Sequence, residues 1–246
     1  MDNKVDILGV RVDKVNIDQA VSKIFLMLEE NKPHTVFTPN SEIILMGYKD
    51  PEFCEILNSS DLLTADGIGV VYASKILKNP IKERAAGYDI ACNLIDKISE
   101  TGHSLYLFGG KPGIAEMAKK NLEEKYPFLR IVGTRNGYFK EEDNEEIIND
   151  INRSGADIVF VCLGAPKQEK WIYDNKDKMK ARVFMGIGGS LDVFAGTVER
   201  APEFWCKTGL EWLYRLIKEP WRFKRMLALP KFGFTVLLKG KRYKKG

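Results

Sequence analysis

Leu105-Tyr106-Leu107-Phe108-Gly109-Gly110-Lys111-Pro112-Gly113-Ile114 is an apolar run that stops at two glycines and resumes, after Pro112-Gly113, as a helical pattern over 114–125. An apolar stretch of strand length that turns through glycine into a helix is one half of a strand–helix–strand unit. The same alternation extends to both sides. Strands are predicted at 35–37, 62–64, 105–108, 130–132, 158–161 and 183–187. Helices are predicted at 19–30 behind Asp18, in a short segment from Pro51, at 142–154, and at 167–178 behind Pro166. Near-continuously apolar strands separated by helices imply an α/β fold, a Rossmann-like and mainly parallel sheet with helices on both faces. The pattern covers 1–196 as one body and leaves 197–246 as a C-terminal basic helical appendage.

In such sheets ligands gather at the carboxyl ends of the strands. Five of those ends carry small or polar residues in place of hydrophobic continuation. They are Thr38-Pro39-Asn40-Ser41-Glu42, Ala65-Asp66-Gly67-Ile68-Gly69, Phe108-Gly109-Gly110-Lys111-Pro112-Gly113, Gly164-Ala165-Pro166-Lys167-Gln168-Glu169 and Gly186-Ile187-Gly188-Gly189-Ser190-Leu191-Asp192. The turn through Gly109 and Gly110 can present backbone N–H groups and a helix N-terminus to a diphosphate or nucleoside; a tight turn explains the glycines equally well. It matches neither GxGxxG nor GxxxxGK[ST], so dinucleotide binding and P-loop hydrolysis lose ground.

Asp66 follows a strand and precedes two glycines, so its carboxylate is expected to project into open space. There it can act as a general base, hold a sugar hydroxyl or bind a metal; its structural alternative is to cap the helix at 68–77. The chain has no DxD pair, which disfavours metal-dependent sugar transfer, and no metal or cofactor is expected. Thr38, Asn40 and Gln168 are uncharged polar groups suited to sugar hydroxyls or a uracil edge, although Asn40 also suits an N-cap before Ser41. Arg84 stands in a loop before a helix, where it can neutralise a phosphate or pair with Asp89. Gly188 and Asp192 complete the expected substrate contacts.

Cys54, Cys92, Cys162 and Cys206 contain no CxxC pair, and His34 and His103 each head a strand-like segment. Zinc, disulfides and a histidine-based triad therefore have little material. The N-terminus lacks a basic region followed by an apolar one, and no run approaches the ~20 apolar residues of a membrane span. The expected location is the synthesis side of any membrane the protein touches.

Charge divides the chain. Residues 200–246 hold 13 Lys+Arg against 3 Asp+Glu, a net of +10, whereas 1–199 carry a net of −6. Arg215, Lys218, Arg222 and Arg225 fall within about 80° of one face of a continuous helix, with Leu213, Leu216, Ile217 and Phe223 elsewhere. Pro220 would kink that helix. With Trp205, Trp212 and Trp221 nearby, the segment reads as an interfacial element for an anionic membrane surface. A nucleic-acid-binding module is the rival outside the enzyme class, since arginine stripes also track phosphates; no nucleic-acid partner is expected. Glu203 places a charge where an apolar residue would better suit membrane contact or a homo-oligomer interface.

The ordered set Phe37-Thr38-Pro39-Asn40, Ala65-Asp66-Gly67-Ile68-Gly69, Glu83-Arg84…Gly87-Tyr88-Asp89, Leu107-Phe108-Gly109-Gly110, Gly164-Ala165-Pro166-Lys167-Gln168-Glu169, Gly186-Ile187-Gly188-Gly189…Asp192…Gly196…Arg200-Ala201-Pro202 and Gly209-Leu210-Glu211-Trp212-Leu213-Tyr214-Arg215…Glu219-Pro220…Arg222 resembles the WecG/TagA/CpsF glycosyltransferases, glycosyltransferase family 26. The likeness spans nearly the whole chain. It implies an inverting, metal-independent hexosaminyltransferase that moves N-acetylmannosamine from UDP-ManNAc to the 4-hydroxyl of GlcNAc on undecaprenyl diphosphate. The product would be the β-1,4 linkage-unit disaccharide of wall teichoic acid, made at the cytoplasmic membrane face by a peripheral enzyme. The resemblance carries the base over to Asp66, the polar pocket to Thr38, Asn40 and Gln168, and the tail arginines to Arg215, Arg222 and Arg225. A sister specificity, with a ManNAcA or glucose donor in another surface-polysaccharide pathway, is the alternative within the class.

Overall fold

The structure is a computed structural model, and it describes residues 3–218, 220, 223 and 227–240. Strands β1 (Lys4–Ile7) and β2 (Val10–Asp13) form an antiparallel hairpin. The main sheet contains β3 (His34–Phe37), β4 (Leu62–Leu63), β5 (Ser104–Gly109), β6 (Arg130–Arg135), β7 (Ile158–Cys162) and β8 (Val183–Gly186). Its order is β4-β3-β8-β7-β5-β6, and every pairing is parallel. The predicted α/β class and strand positions are thus observed. The hairpin was not foreseen. Its turn places Leu8 and Gly9 at φ 59 and 95, and leucine gives none of the Asn-Gly signal by which such turns are recognised.

Helices cover both faces. The first layer holds α1 (Ile17–Glu29), α5 (Gly87–Thr101), α6 (Ile114–Lys125) and α9 (Ser190–Phe194). The second holds α2 (Ser41–Lys49), α3 (Pro51–Asn58), α4 (Ile68–Ile76), α7 (Asn144–Ser154) and α8 (Lys167–Asn175). The two-residue period of a strand divides the sheet between these layers. Leu105 and Leu107 of β5 join the first core cluster, Tyr106 and Phe108 the second. Strands buried on both sides are mostly apolar, which is why residues 105–108 of β5 and all of β7 read as hydrophobic runs.

Local signals set the helix starts. Asn16, and not Asp18, caps α1: its side chain accepts from the Gln19 N–H while Gln19 Oε1 accepts from the Asn16 N–H. Both residue types suit a cap, and Gln19 three residues on closes the reciprocal box with Asn16. The buried carboxylate of Asp13 ties the hairpin to the body, accepting from Leu63 N–H at 3.0 Å and pairing with Lys4 and Lys23 at 3.3 and 3.2 Å.

Three further helices are described beyond residue 196: α10 (Glu203–Lys207), α11 (Glu211–Lys218) and α12 (Ala228–Lys239). Glu203 opens α10 and is exposed. α12 returns to the body and lies on α2 and α4, with Phe232 and Val236 buried in their core cluster. No helix among the described residues is long and apolar enough to cross a membrane.

Candidate active site

The parallel sheet brings the ends of β3, β4, β5, β7 and β8 to one edge. β5 leads outward to β6 and β7 leads back to β8, so the loops after these neighbours diverge and leave a crevice between them. The polar strand ends read from the sequence all lie on this edge.

Asp66 stands three residues beyond β4, half-buried, where its N–H donates to the Pro39 carbonyl at 3.1 Å. Its Oδ2 accepts from the N–H of Gly87, the first residue of α5, at 3.4 Å. Asp66 therefore faces the start of α5, and no side chain caps α4. A carboxylate at a helix N-terminus sits in a favourable field and has oxygen lone pairs to offer a hydroxyl.

Arg84 lies beside it. Its Nη1 donates to Glu211 Oε2 at 2.9 Å and its Nη2 to Asp89 Oδ2 at 3.4 Å. Burial opposes the guanidinium charge, but Glu211, Asp89 and Asp66 outweigh it and raise the Arg84 pKa. The expected Arg84–Asp89 pair is therefore present, and α11 is joined to it. Arg200 Nη2 also donates to Asp89, at the other carboxylate oxygen, Oδ1, and the Arg200 guanidinium lies 4.6 Å over the Tyr88 ring. Tyr88 in turn stacks on Phe194 at 5.0 Å. Arg200, Tyr88 and Glu211 were not singled out as site residues, because contacts spanning 111 and 127 positions leave no local signal.

Thr38 and Gln168 hold the loop after β8. Thr38 Oγ1 donates to the Gly186 carbonyl at 3.1 Å, and a Cβ at Gly87 would come within 2.6 Å of that hydroxyl. Gln168 is buried; its Oε1 accepts the Gly188 N–H at 3.0 Å and its Nε2 donates to Glu169 Oε1 at 2.8 Å. Asn40 Oδ1 accepts from the Glu42 and Ile43 N–H groups and so caps α2. Asp192, in α9, lies close to Gly189, with its half-buried carboxylate 3.8 Å from where a Gly189 Cβ would stand.

The glycine turn after β5 is closely packed. A Cβ on Gly109 would lie 2.3 Å from the Cys162 carbonyl oxygen, and Gly110 N–H donates to that same oxygen at 3.1 Å. Gly110 N–H is thus engaged within the turn, and Lys111 to Gly113 carry it to the start of α6.

Of the tail arginines, Arg215 falls in α11, one turn beyond Glu211, while Arg222 and Arg225 lie outside the described residues. Helices α10 and α11 meet at Gly209, which abuts Ile68 so closely that a Cβ would stand 2.9 Å from its side chain. That contact sets the tail two residues from Asp66. Among the described residues no three His, Cys, Asp or Glu side chains gather as a metal site would require.

The family match closes the question of kinship. Residues 5–246 match the Glycosyl transferase WecG/TagA/CpsF family.

The chain belongs to that family.

Within the WecG/TagA/CpsF glycosyltransferases it is similar to a protein of Bacillus subtilis (strain 168), 38% identical over 209 residues, covering 85% of this chain and 81% of the relative. It is also similar to one from Staphylococcus aureus (strain MRSA252), 34% identical over 245 residues, covering 98% and 95%. Both relatives are named N-acetylglucosaminyldiphosphoundecaprenol N-acetyl-beta-D-mannosaminyltransferase.

Proposed function

We propose that this glycosyltransferase transfers N-acetylmannosamine from UDP-ManNAc to the 4-hydroxyl of GlcNAc carried on undecaprenyl diphosphate. The relatives' activity, matched along nearly the whole chain, supports the substrates. The observation that carries the mechanism is Asp66 on the strand-end rim, against the α5 N-terminus and beside Arg84.

In the proposed step the acceptor oxygen attacks the anomeric carbon of the donor from the face opposite the diphosphate. The new C–O bond forms as the bond to UDP breaks, inverting the configuration. Asp66 takes the hydroxyl proton, and the electron pair of the broken bond leaves on UDP. Positive charge near the diphosphate offsets what develops there. Arg84 and Arg200 supply it on the described rim, and Arg215, Arg222 and Arg225 are proposed to add to it from the tail. Thr38 and Gln168 shape the loop that would hold the donor, and Asn40, Gly109, Gly110, Gly188 and Asp192 line the same edge. No metal ion is invoked in this scheme.

We further propose that the enzyme works as a peripheral protein on the inner membrane face. Phe234, Leu237 and Leu238 of α12 are exposed on the side opposite buried Phe232 and Val236. An apolar outer stripe beside Lys231 and Lys239, on a lipid-linked acceptor's enzyme, suits an anionic bilayer surface.

The test is product formation from a panel of UDP-sugars with a short-chain lipid-diphosphate GlcNAc acceptor. A disaccharide formed from UDP-ManNAc, and poorly from UDP-ManNAcA or UDP-glucose, is expected. Preference for another donor would move the enzyme to a sister pathway.

A further inference from the structure

Glu169 is 1% exposed, and nothing in the step above uses it. One carboxyl oxygen accepts from Gln168 Nε2 at 2.8 Å, while Oε2 is buried without a hydrogen-bond partner. An isolated carboxylate in such a place is disfavoured by desolvation, so its position calls for a reason. Burial raises its pKa, with the bond from Gln168 and its own N–H acting the other way.

What requires it is the orientation of its neighbour. A carboxamide can be seated in two ways that differ by exchange of oxygen and nitrogen. In one, Gln168 Oε1 accepts the Gly188 N–H, as observed at 3.0 Å. In the other, the Gln168 amide nitrogen would face that N–H, donor against donor. Glu169 Oε1, by accepting from Gln168 Nε2, favours the first. Gly188 sits at φ 57, in a backbone region that glycine tolerates, inside the turn from β8 to α9. The same turn is held on its other side by Thr38 Oγ1 at Gly186. A Cβ at Gly186 would lie 3.0 Å from Gln168 Nε2, so the amide fits against the bare backbone.

We propose that Glu169 is a positioning residue of the candidate site: through the Gln168 carboxamide it fixes the Gly186–Gly189 turn that borders the donor crevice. The placement of the donor at that turn rests on the function proposed above. The effect on the turn itself does not.

Two substitutions separate the outcomes. Glu169→Gln keeps an oxygen that accepts from Gln168. Glu169→Leu removes it while filling the space with apolar volume, and leaves the Gln168 Nε2 donor without that acceptor. In amide hydrogen exchange of a peptide covering 186–190, Glu169→Leu is expected to exchange about tenfold faster than wild type, the loss of one buried hydrogen bond. In UDP-ManNAc turnover it is expected to raise KM by about the same factor, with a smaller change in kcat. Glu169→Gln is expected to stay close to wild type in both. The proposal is overturned if Glu169→Leu matches wild-type exchange and KM, or if Glu169→Gln fails as Glu169→Leu does. It is also overturned if Glu169→Leu simply melts earlier with KM unchanged. A wild-type protein that turns over no UDP-sugar would sink the functional reading, while the exchange comparison would still decide whether Glu169 holds the turn.

Discussion

Arg84 Nη1 donates to Glu211 Oε2 at 2.9 Å, joining the loop before α5 to α11 in the same place that Arg84 approaches Asp66. One guanidinium thus connects the candidate base to the tail. Both side chains are largely shielded, at 18% and 19% exposure, so their contact escapes most of the solvent screening of surface pairs. Arg84→Ala should remove this contact from Glu211 and lower stability by about 1–3 kcal/mol. Turnover should fall more steeply than stability if, as proposed, the same residue offsets the developing diphosphate charge. Thermal melts and UDP release on one preparation separate the two effects; a variant with lowered Tm but full activity would remove Arg84 from the site.

Glu169 makes stability depend on pH in a definite direction. Its folded pKa lies above the ordinary glutamate value, with burial as the main cause. A raised carboxyl pKa contributes stability below the unfolded value, and that contribution is lost as pH rises through the folded one. Glu169→Gln cannot ionise. Its Tm relative to wild type should therefore climb as the pH rises above the ordinary glutamate range, other groups being common to both proteins. A constant difference would show that Glu169 ionises as freely folded as unfolded, and a shrinking one that folding lowers its pKa.

The two faces of α12 should respond differently. Phe232 is buried among residues of α2 and α4, so Phe232→Ala should cost about 3–5 kcal/mol of stability. Phe234 and Leu238 point outward, 68% and 79% exposed, and changing both to Ser should leave Tm near wild type. The same pair should weaken sedimentation with anionic vesicles about tenfold or more, given the apolar area removed. Unchanged vesicle binding would move the membrane contact elsewhere in the tail.

These outcomes also mark what the chain made legible. The parallel sheet was readable because strands such as Ile158–Cys162, buried on both faces, are built mainly of apolar residues. That constraint made the polar strand ends conspicuous, and Asp66, Thr38 and Gln168 were picked out as candidates that way. The roles of Thr38 and Gln168 within the fold were not readable, since they depend on Gly186 and Gly188 arriving from a strand far along the chain. Asn40 was legible as a cap because its partners are its own neighbours. Arg200 was hidden for the opposite reason, with Asp89 as its partner across 111 residues. The return of α12 to the core was likewise unreadable: Phe232-Gly233-Phe234-Thr235-Val236-Leu237-Leu238 is apolar toward the body and toward solvent alike, so periodicity gives no inner face.

The central claim is that Asp66 removes the acceptor proton during transfer from UDP-ManNAc. The direct measurement is UDP release with the lipid-diphosphate GlcNAc acceptor, comparing wild type with Asp66→Asn, in the presence and absence of EDTA. Wild type should turn over equally with and without EDTA. Asp66→Asn should lose about 10²–10⁴-fold in kcat, the range for a general base, while binding UDP within about threefold of wild type. An Asp66→Asn enzyme that keeps wild-type kcat would contradict the account.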